Sequence, residues 1–172
     1  MERKPSNIIR HLNARRGVEQ LDLRQMLSPD RVLDLPPGEK YELLERLIAV
    51  TAASDRVTDR EAFRRAILER EKLLSTGVGN GIGLPHVKIA HVSDFVMSMA
   101  RCPQGIDYGA HDGRPVNIII MIGANESQSN AFLTVLARLM MKLKNQKFRE
   151  ALLEAETTET AYRLMVGDGR IA

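Results

Sequence analysis

The run Pro115–Ile122 reads PVNIIIMI, a nearly continuous series of apolar and β-branched residues with turn residues on both sides. A strand with no polar alternation has to be covered on both faces, so this segment predicts a central strand inside a layered domain. The flanking chain supplies the covers. From Glu39 to about Ala53 the spacing of Leu43, Leu44, Leu47, Ile48 and Val50 is helical. A second helix is predicted from Thr58, where Thr58-x-x-Glu61 has the form of a capping box, with Ala62, Phe63, Ala66 and Ile67 facing inward. After Asn130 a strong helix carries Phe132, Val135, Leu136, Leu139, Met140 and Leu143 on one face. Two more helices are predicted at about 146–156 and 158–166.

The remaining segments read as strands or connections. Leu21–Leu35 predicts a short strand or helical turn, ended by Pro36-Pro37-Gly38. Val92–Cys102 alternates like a strand, and Pro103-Gln104-Gly105 is expected to break it. Ile106–His111 reads as a further brief strand before a turn at Asp112-Gly113. Strands interspersed with helices, followed by a helical C-terminal third, define an α/β domain with a mixed sheet.

A chain of 172 residues fits one such domain. We expect a basic arm over residues 1–20, the domain over 21–168 and a short tail over 169–172. The arm carries Arg3, Lys4, Arg10, His11, Arg15 and Arg16, a pattern that reads first as a solvated arm or surface helix. Net charge is only +3 and Trp is absent, so neither electrostatics nor stacking argues for nucleic acid. The one cysteine, Cys102, excludes an internal disulfide and reads as packing, as do Met97, Met99, Met121, Met140 and Met141. No signal peptide and no apolar run of about 20 residues is present, so no membrane insertion and a cytoplasmic location are expected.

The segment Arg70–Lys88, REKLLSTGVGNGIGLPHVK, is where chemistry concentrates. Glycines at 77, 79, 81 and 83 allow sharp turns and close approach, and Pro85 stiffens the path to His86. The spacing is not that of a nucleotide-binding loop. After Gly79 and Gly81 a G-x-G-x-x-G pattern places its third glycine on Leu84, and Lys88 is followed by Ile89 rather than Ser or Thr. Neither a metal-ligand spacing nor a G-x-S-x-G elbow occurs. A neutral imidazole can accept a phosphoryl group at neutral pH, given positioning, N–H groups on the phosphoryl oxygens and a nearby cation. The glycine stretch can supply N–H groups, with Gly79, Gly81, Ser75 and Thr76 as candidate phosphate-binding residues, and Arg70 can supply the guanidinium.

The run REKLLSTGVGNGIGLPH resembles the active-site segment of the type-2 enzyme IIA domains of the bacterial phosphoenolpyruvate-dependent sugar phosphotransferase system, nearest the stand-alone nitrogen-regulatory branch. Asp112-Gly113-Arg114-Pro115-Val116 and Phe132-Leu133-x-x-Leu136-Ala137-Arg138-Leu139 extend the likeness over roughly residues 22–168. The resemblance implies a three-layer α/β/α sandwich with a small mixed sheet. It implies phosphorylation of His86, on Nε2, by a small histidine phosphocarrier protein, with Arg70 as the site's arginine and no cofactor or metal. Members of the family either pass the phosphoryl group to a IIB cysteine or signal by binding regulatory protein targets.

One departure stands out. Counting from Arg114-Pro115-Val116, the family's second active-site histidine falls on Phe132, and a phenyl ring offers no hydrogen bond to a phosphoryl oxygen. His91 and His111 are available as substitutes. The expected function is a phosphoryl-relay regulatory protein acting through His86. The alternatives are a fructose- or mannitol-type transport component and a binding module that has kept the fold without being phosphorylated.

Overall fold

The computed structural model describes residues 22–167, so the arm expected over residues 1–20 and the tail over 169–172 lie outside the described residues. The elements in chain order are β1 (Leu27–Asp34), α1 (Lys40–Ala52), α2 (Arg60–Leu73), β2 (Gly77–Gly79), β3 (Ile82–Gly83), β4 (His86–Lys88), β5 (Val96–Ile106), β6 (Val116–Ala124), α3 (Ser129–Lys144), α4 (Gln146–Glu154) and α5 (Thr158–Val166). Strand order across the sheet is β1-β5-β6-β3-β2, with β4 also paired to β6. β1 runs parallel to β5, β5 antiparallel to β6, and β3 and β4 both parallel to β6. β6 is therefore interior, as its unbroken apolar run requires.

Its two faces feed two separate cores. Ile118, Ile120 and Ile122 pack with Phe132, Val135 and Leu139 of α3, Phe148 and Leu152 of α4, and Met165 of α5. Ile119 and Met121 pack on the other face with Leu44, Leu47 and Ile48 of α1 and Phe63 and Ile67 of α2. Each fully buried side chain of this kind contributes about 1.5–3 kcal/mol, and residues one apart on β6 contribute to opposite layers. The result is the α/β/α sandwich with a mixed sheet that the sequence led us to expect.

Several local expectations are corrected. Thr58 does not cap α2; Asp59 does, its carboxylate accepting from the Ala62 N–H at 2.9 Å, while the Thr58 hydroxyl donates to the His91 carbonyl at 3.0 Å. Pro103-Gln104-Gly105 does not end β5. The strand continues to Ile106 through a bulge with Gly105 at φ +77°, and Asn117 Nδ2 donates to the Cys102 and Pro103 carbonyls across it. The brief strand expected over 106–111 therefore reduces to the last residue of β5. The Leu21–Leu35 segment is both things proposed for it, a 3-10 turn at Leu23–Gln25 and then β1. Met141 is 77% exposed rather than in the core, whereas Met97, Met99 and Met121 are buried. Cys102 is buried too, and burial pushes its thiol pKa up.

Candidate functional site

The glycine-rich stretch is a β-hairpin, not a loop. Asn80 and Gly81 both have positive φ (+56° and +75°), the pairing that two-residue hairpin turns of primed type require. Gly77 and Gly83 face each other across the hairpin. A Cβ on Gly77 would lie 2.7 Å from the Ala110 Cα, and one on Gly83 would lie 3.1 Å from Tyr108 Cζ. The glycines at these two positions thus make room for the Tyr108–Ala110 segment beneath.

Beyond the hairpin, Leu84 and Pro85 carry the chain from β3 to β4 along the same edge of β6. The Leu84 N–H donates to the Thr76 carbonyl and the Ile122 N–H to the Pro85 carbonyl, each at 3.0 Å. His86 opens β4, half-buried, with Nδ1 2.7 Å from the Leu84 carbonyl oxygen. A carbonyl only accepts, so Nδ1 carries the hydrogen, and in the neutral ring the lone pair sits on Nε2.

His86 borders a cleft of about 280 Å³ together with Arg70, Ser75, Thr76 and His111, and with Leu74, Val78, Leu84, Leu136 and Met140. Arg70, in the last turn of α2, donates from Nη1 to the Leu74 carbonyl at 2.9 Å, which directs the guanidinium along this wall. Next to it Glu71 is buried. Its Oε1 accepts from Lys40 Nζ at 2.7 Å and from the Thr76 N–H at 2.9 Å, and its Oε2 accepts from the Thr76 hydroxyl at 2.6 Å. Since that hydroxyl's hydrogen is committed, the Tyr108 O–H is the donor in its 3.0 Å contact with Thr76 Oγ1. Lys40 Nζ also donates to the Tyr108 carbonyl at 2.9 Å. Burial first, and the Glu71 charge second, push the Tyr108 hydroxyl pKa well up, so it stays a donor.

Sequence reasoning did not single out Lys40, Glu71 or Tyr108. The signal was nevertheless present for Glu71. Phe63, Ile67 and Glu71 are the buried residues of α2 and lie four apart, so the carboxylate continues the apolar stripe into the interior, where it needs partners.

The opposite wall belongs to α3. The Phe132 ring, 3% exposed, lies 5.4 Å from the His86 ring between centroids, tilted by 45°. Lys88 Nζ stands 5.4 Å from the Phe132 centroid and donates to Ser129 Oγ at 3.2 Å. Position 132 is thus in contact with the imidazole.

The expected phosphate-binding residues divide. Ser75 and Thr76 border the cleft, whereas Gly79 and Gly81 sit at the hairpin turn. Gly81, with Asn80, faces a different depression of about 530 Å³ that also touches Arg114, Asn117 and Arg149. The Asp112 carboxylate accepts from the Asn80 N–H and the Arg114 N–H, each at 3.1 Å, and fastens that turn to the β5–β6 connection. Of the two other histidines considered, His111 lines the cleft and His91 does not. Among the described residues no cluster of three or more His, Cys, Asp or Glu side chains is arranged to hold a metal ion, and no helix is long and apolar enough to cross a membrane.

Residues 26–166 match the family model for the phosphoenolpyruvate-dependent sugar phosphotransferase system, EIIA 2. Over 74% of the chain it is 36% identical to the fructose-specific EIIABC component of Bacillus subtilis, spanning one fifth (20%) of that protein. It is 39% identical to the fructose-specific EIIA component of Haloferax volcanii, over 74% of the chain and 83% of that protein. It is 30% identical to the nitrogen regulatory protein of Pseudomonas aeruginosa, over 84% of the chain and 94% of that protein. Among solved structures it is similar to the nitrogen regulatory protein IIA-Ntr of Neisseria meningitidis, with TM-score 0.77 and 25% identity over 84% of this chain and 99% of that one. It shares the fold of the mannitol enzyme IIA solved in complex with phosphorylated enzyme IIB from Escherichia coli, with TM-score 0.71 and 20% identity over 82% and 97% of the two chains.

Proposed function

The chain belongs to the EIIA 2 family of the phosphoenolpyruvate-dependent sugar phosphotransferase system, and from that premise we propose that His86 accepts a phosphoryl group on Nε2 from a histidine phosphocarrier protein in the cytoplasm. The observation that carries this reading is the 2.7 Å contact from His86 Nδ1 to the Leu84 carbonyl. It holds one tautomer and leaves Nε2 as the nucleophile, in a cleft that Arg70 also lines. Phosphoryl transfer of this kind asks the protein for position and charge more than for covalent help. No cofactor or metal takes part.

We assign the phosphorylated and unphosphorylated forms to regulation, read out through binding of protein targets. The likeness to nitrogen regulatory proteins over nearly their whole length supports this assignment. A second reading, transfer from phospho-His86 to a IIB cysteine in sugar uptake, is favoured by the higher identity to fructose-specific components.

The test is phosphorylation by purified enzyme I and carrier protein with labelled phosphoenolpyruvate. Acid-labile label should appear on the wild type and be lost completely in His86→Ala. Onward transfer to a purified fructose-type IIB domain distinguishes transport from regulation. A wild type that stays unlabelled while a control enzyme IIA is labelled would point to a binding module that is not phosphorylated.

A further inference from the structure

The geometry points to His111 as a second catalytic imidazole, one that donates a hydrogen bond to the phosphoryl group on His86. This rests on the reading of His86 as the acceptor. A phosphoryl group in transfer spreads negative charge over its non-bridging oxygens and is stabilised by donors already in place. The polar side chains on the cleft are Arg70, Ser75, Thr76, His86 and His111. Thr76 gives its hydroxyl hydrogen to Glu71, and Ser75 gives its own to the Tyr108 carbonyl at 3.2 Å. Phe132, packed on the His86 ring from the α3 side, has no donor. Two side chains are left with N–H groups to offer. Arg70 has one nitrogen on the Leu74 carbonyl and the rest of its fork available, and the His111 ring has no hydrogen-bond partner among the described residues.

The backbone of His111 is held in place. Its N–H donates to the Gly77 carbonyl at 3.0 Å, and the turn that contains it is closed by the Gly113 N–H on the Ala110 carbonyl. The β5–β6 connection thereby brings His111 to the hairpin strand that precedes His86, where it lines the cleft. In the transfer step the His86 Nε2 lone pair attacks the phosphorus of the carrier's phosphohistidine. The N–P bond on the carrier breaks, its electron pair remains on the carrier's imidazole, and His86 Nδ1 keeps its hydrogen on Leu84. His111 gives up no proton; its ring N–H holds a phosphoryl oxygen through the transition state and in the product.

The test compares wild type, His111→Ala, His111→Gln and His111→Ala/Phe132→His, all as the full chain. Two reactions are followed: transfer from the purified carrier, and direct phosphorylation by phosphoramidate with the lifetime of phospho-His86 recorded. The proposal expects His111→Ala to slow transfer by about 10- to 100-fold, the loss of one charge-assisted hydrogen bond. It expects His111→Gln, which keeps a donor, to recover part of the rate. Adding Phe132→His to His111→Ala, which returns an imidazole next to His86, should recover more. His111→Ala matching wild type in both reactions overturns it, as does His111→Gln behaving no better than His111→Ala. A wild type labelled by phosphoramidate but not by the carrier overturns the reading of the donor, while the phosphoramidate rates still decide on His111. Labelling by neither overturns both.

Discussion

The two walls that flank His86 are built from opposite materials. On the α2 side a buried carboxylate, an ammonium, a hydroxyl and a phenol are joined in one network, with Glu71 at its centre. On the α3 side the wall is hydrocarbon: Phe132 against the imidazole ring, then Leu136 and Met140 along the cleft. A polar network in low dielectric is directional and fails when one member is removed, because the others are left desolvated and unpaired. An apolar wall is less demanding, since shape and volume suffice. The hairpin, and with it the approach to His86, is registered by the polar wall; the apolar wall packs on the His86 ring and offers no donors.

Removing Glu71 tests that contrast most severely. Glu71→Ala leaves the Lys40 ammonium without its counter-charge and the Thr76 N–H without an acceptor, and should cost about 3–5 kcal/mol in denaturant unfolding, the range for breaking a buried pair by removing one partner. It should also slow phosphorylation of His86, because Thr76 and Leu84 are bonded to each other. A loss below about 1 kcal/mol, the level of an exposed pair, would mean that the network does not hold the wall.

Phe132→Leu is the matching change on the other side. A few buried carbons are lost and no polar group is stranded, so the expected loss is about 1–2 kcal/mol with an unchanged phosphorylation rate. A large fall in rate would show that the phenyl ring itself orients His86.

The smallest effect is expected at the hairpin turn. N–H groups of Arg114 first, and then of Asn80, hold the Asp112 carboxyl below the usual carboxylate range. A depressed carboxylate contributes stability above its unfolded pKa and loses that contribution as the pH falls through its folded value. Wild type should therefore be slightly more stable than Asp112→Asn at neutral pH, and the two unfolding curves should converge in acid. Curves that diverge in acid would remove Asp112 from its place as the clamp on this turn.

This contrast between walls also explains what the sequence made legible. Apolar spacing is a repeating signal, so β6, the helices and the two cores could be read from it. The hairpin was hidden because glycines at 77, 79, 81 and 83 have no side chains to alternate; only the Asn80-Gly81 pair marked a primed turn. At the start of α2 two adjacent cap formers competed, and the tie was decided by a tertiary contact, the Thr58 hydroxyl on the His91 carbonyl. Among the site residues, His86 and Arg70 stood inside a motif and Phe132 was reached by counting. His111 was indistinguishable from His91 until a backbone bond to Gly77 set it beside the cleft. Glu71 was legible only as a charge in an apolar stripe.

If the Leu84 carbonyl holds Nδ1, Nε2 is the nitrogen of His86 that receives the phosphoryl group. The direct measurement is a nitrogen-15 NMR spectrum of the histidine rings, recorded with phosphorus coupling after the protein has been phosphorylated. The account predicts a single phosphohistidine, bonded through Nε2 of His86, with Nδ1 still protonated, and its disappearance in His86→Ala. Phosphorus bonded to Nδ1 of His86, or to the ring of His91 or His111, would contradict it.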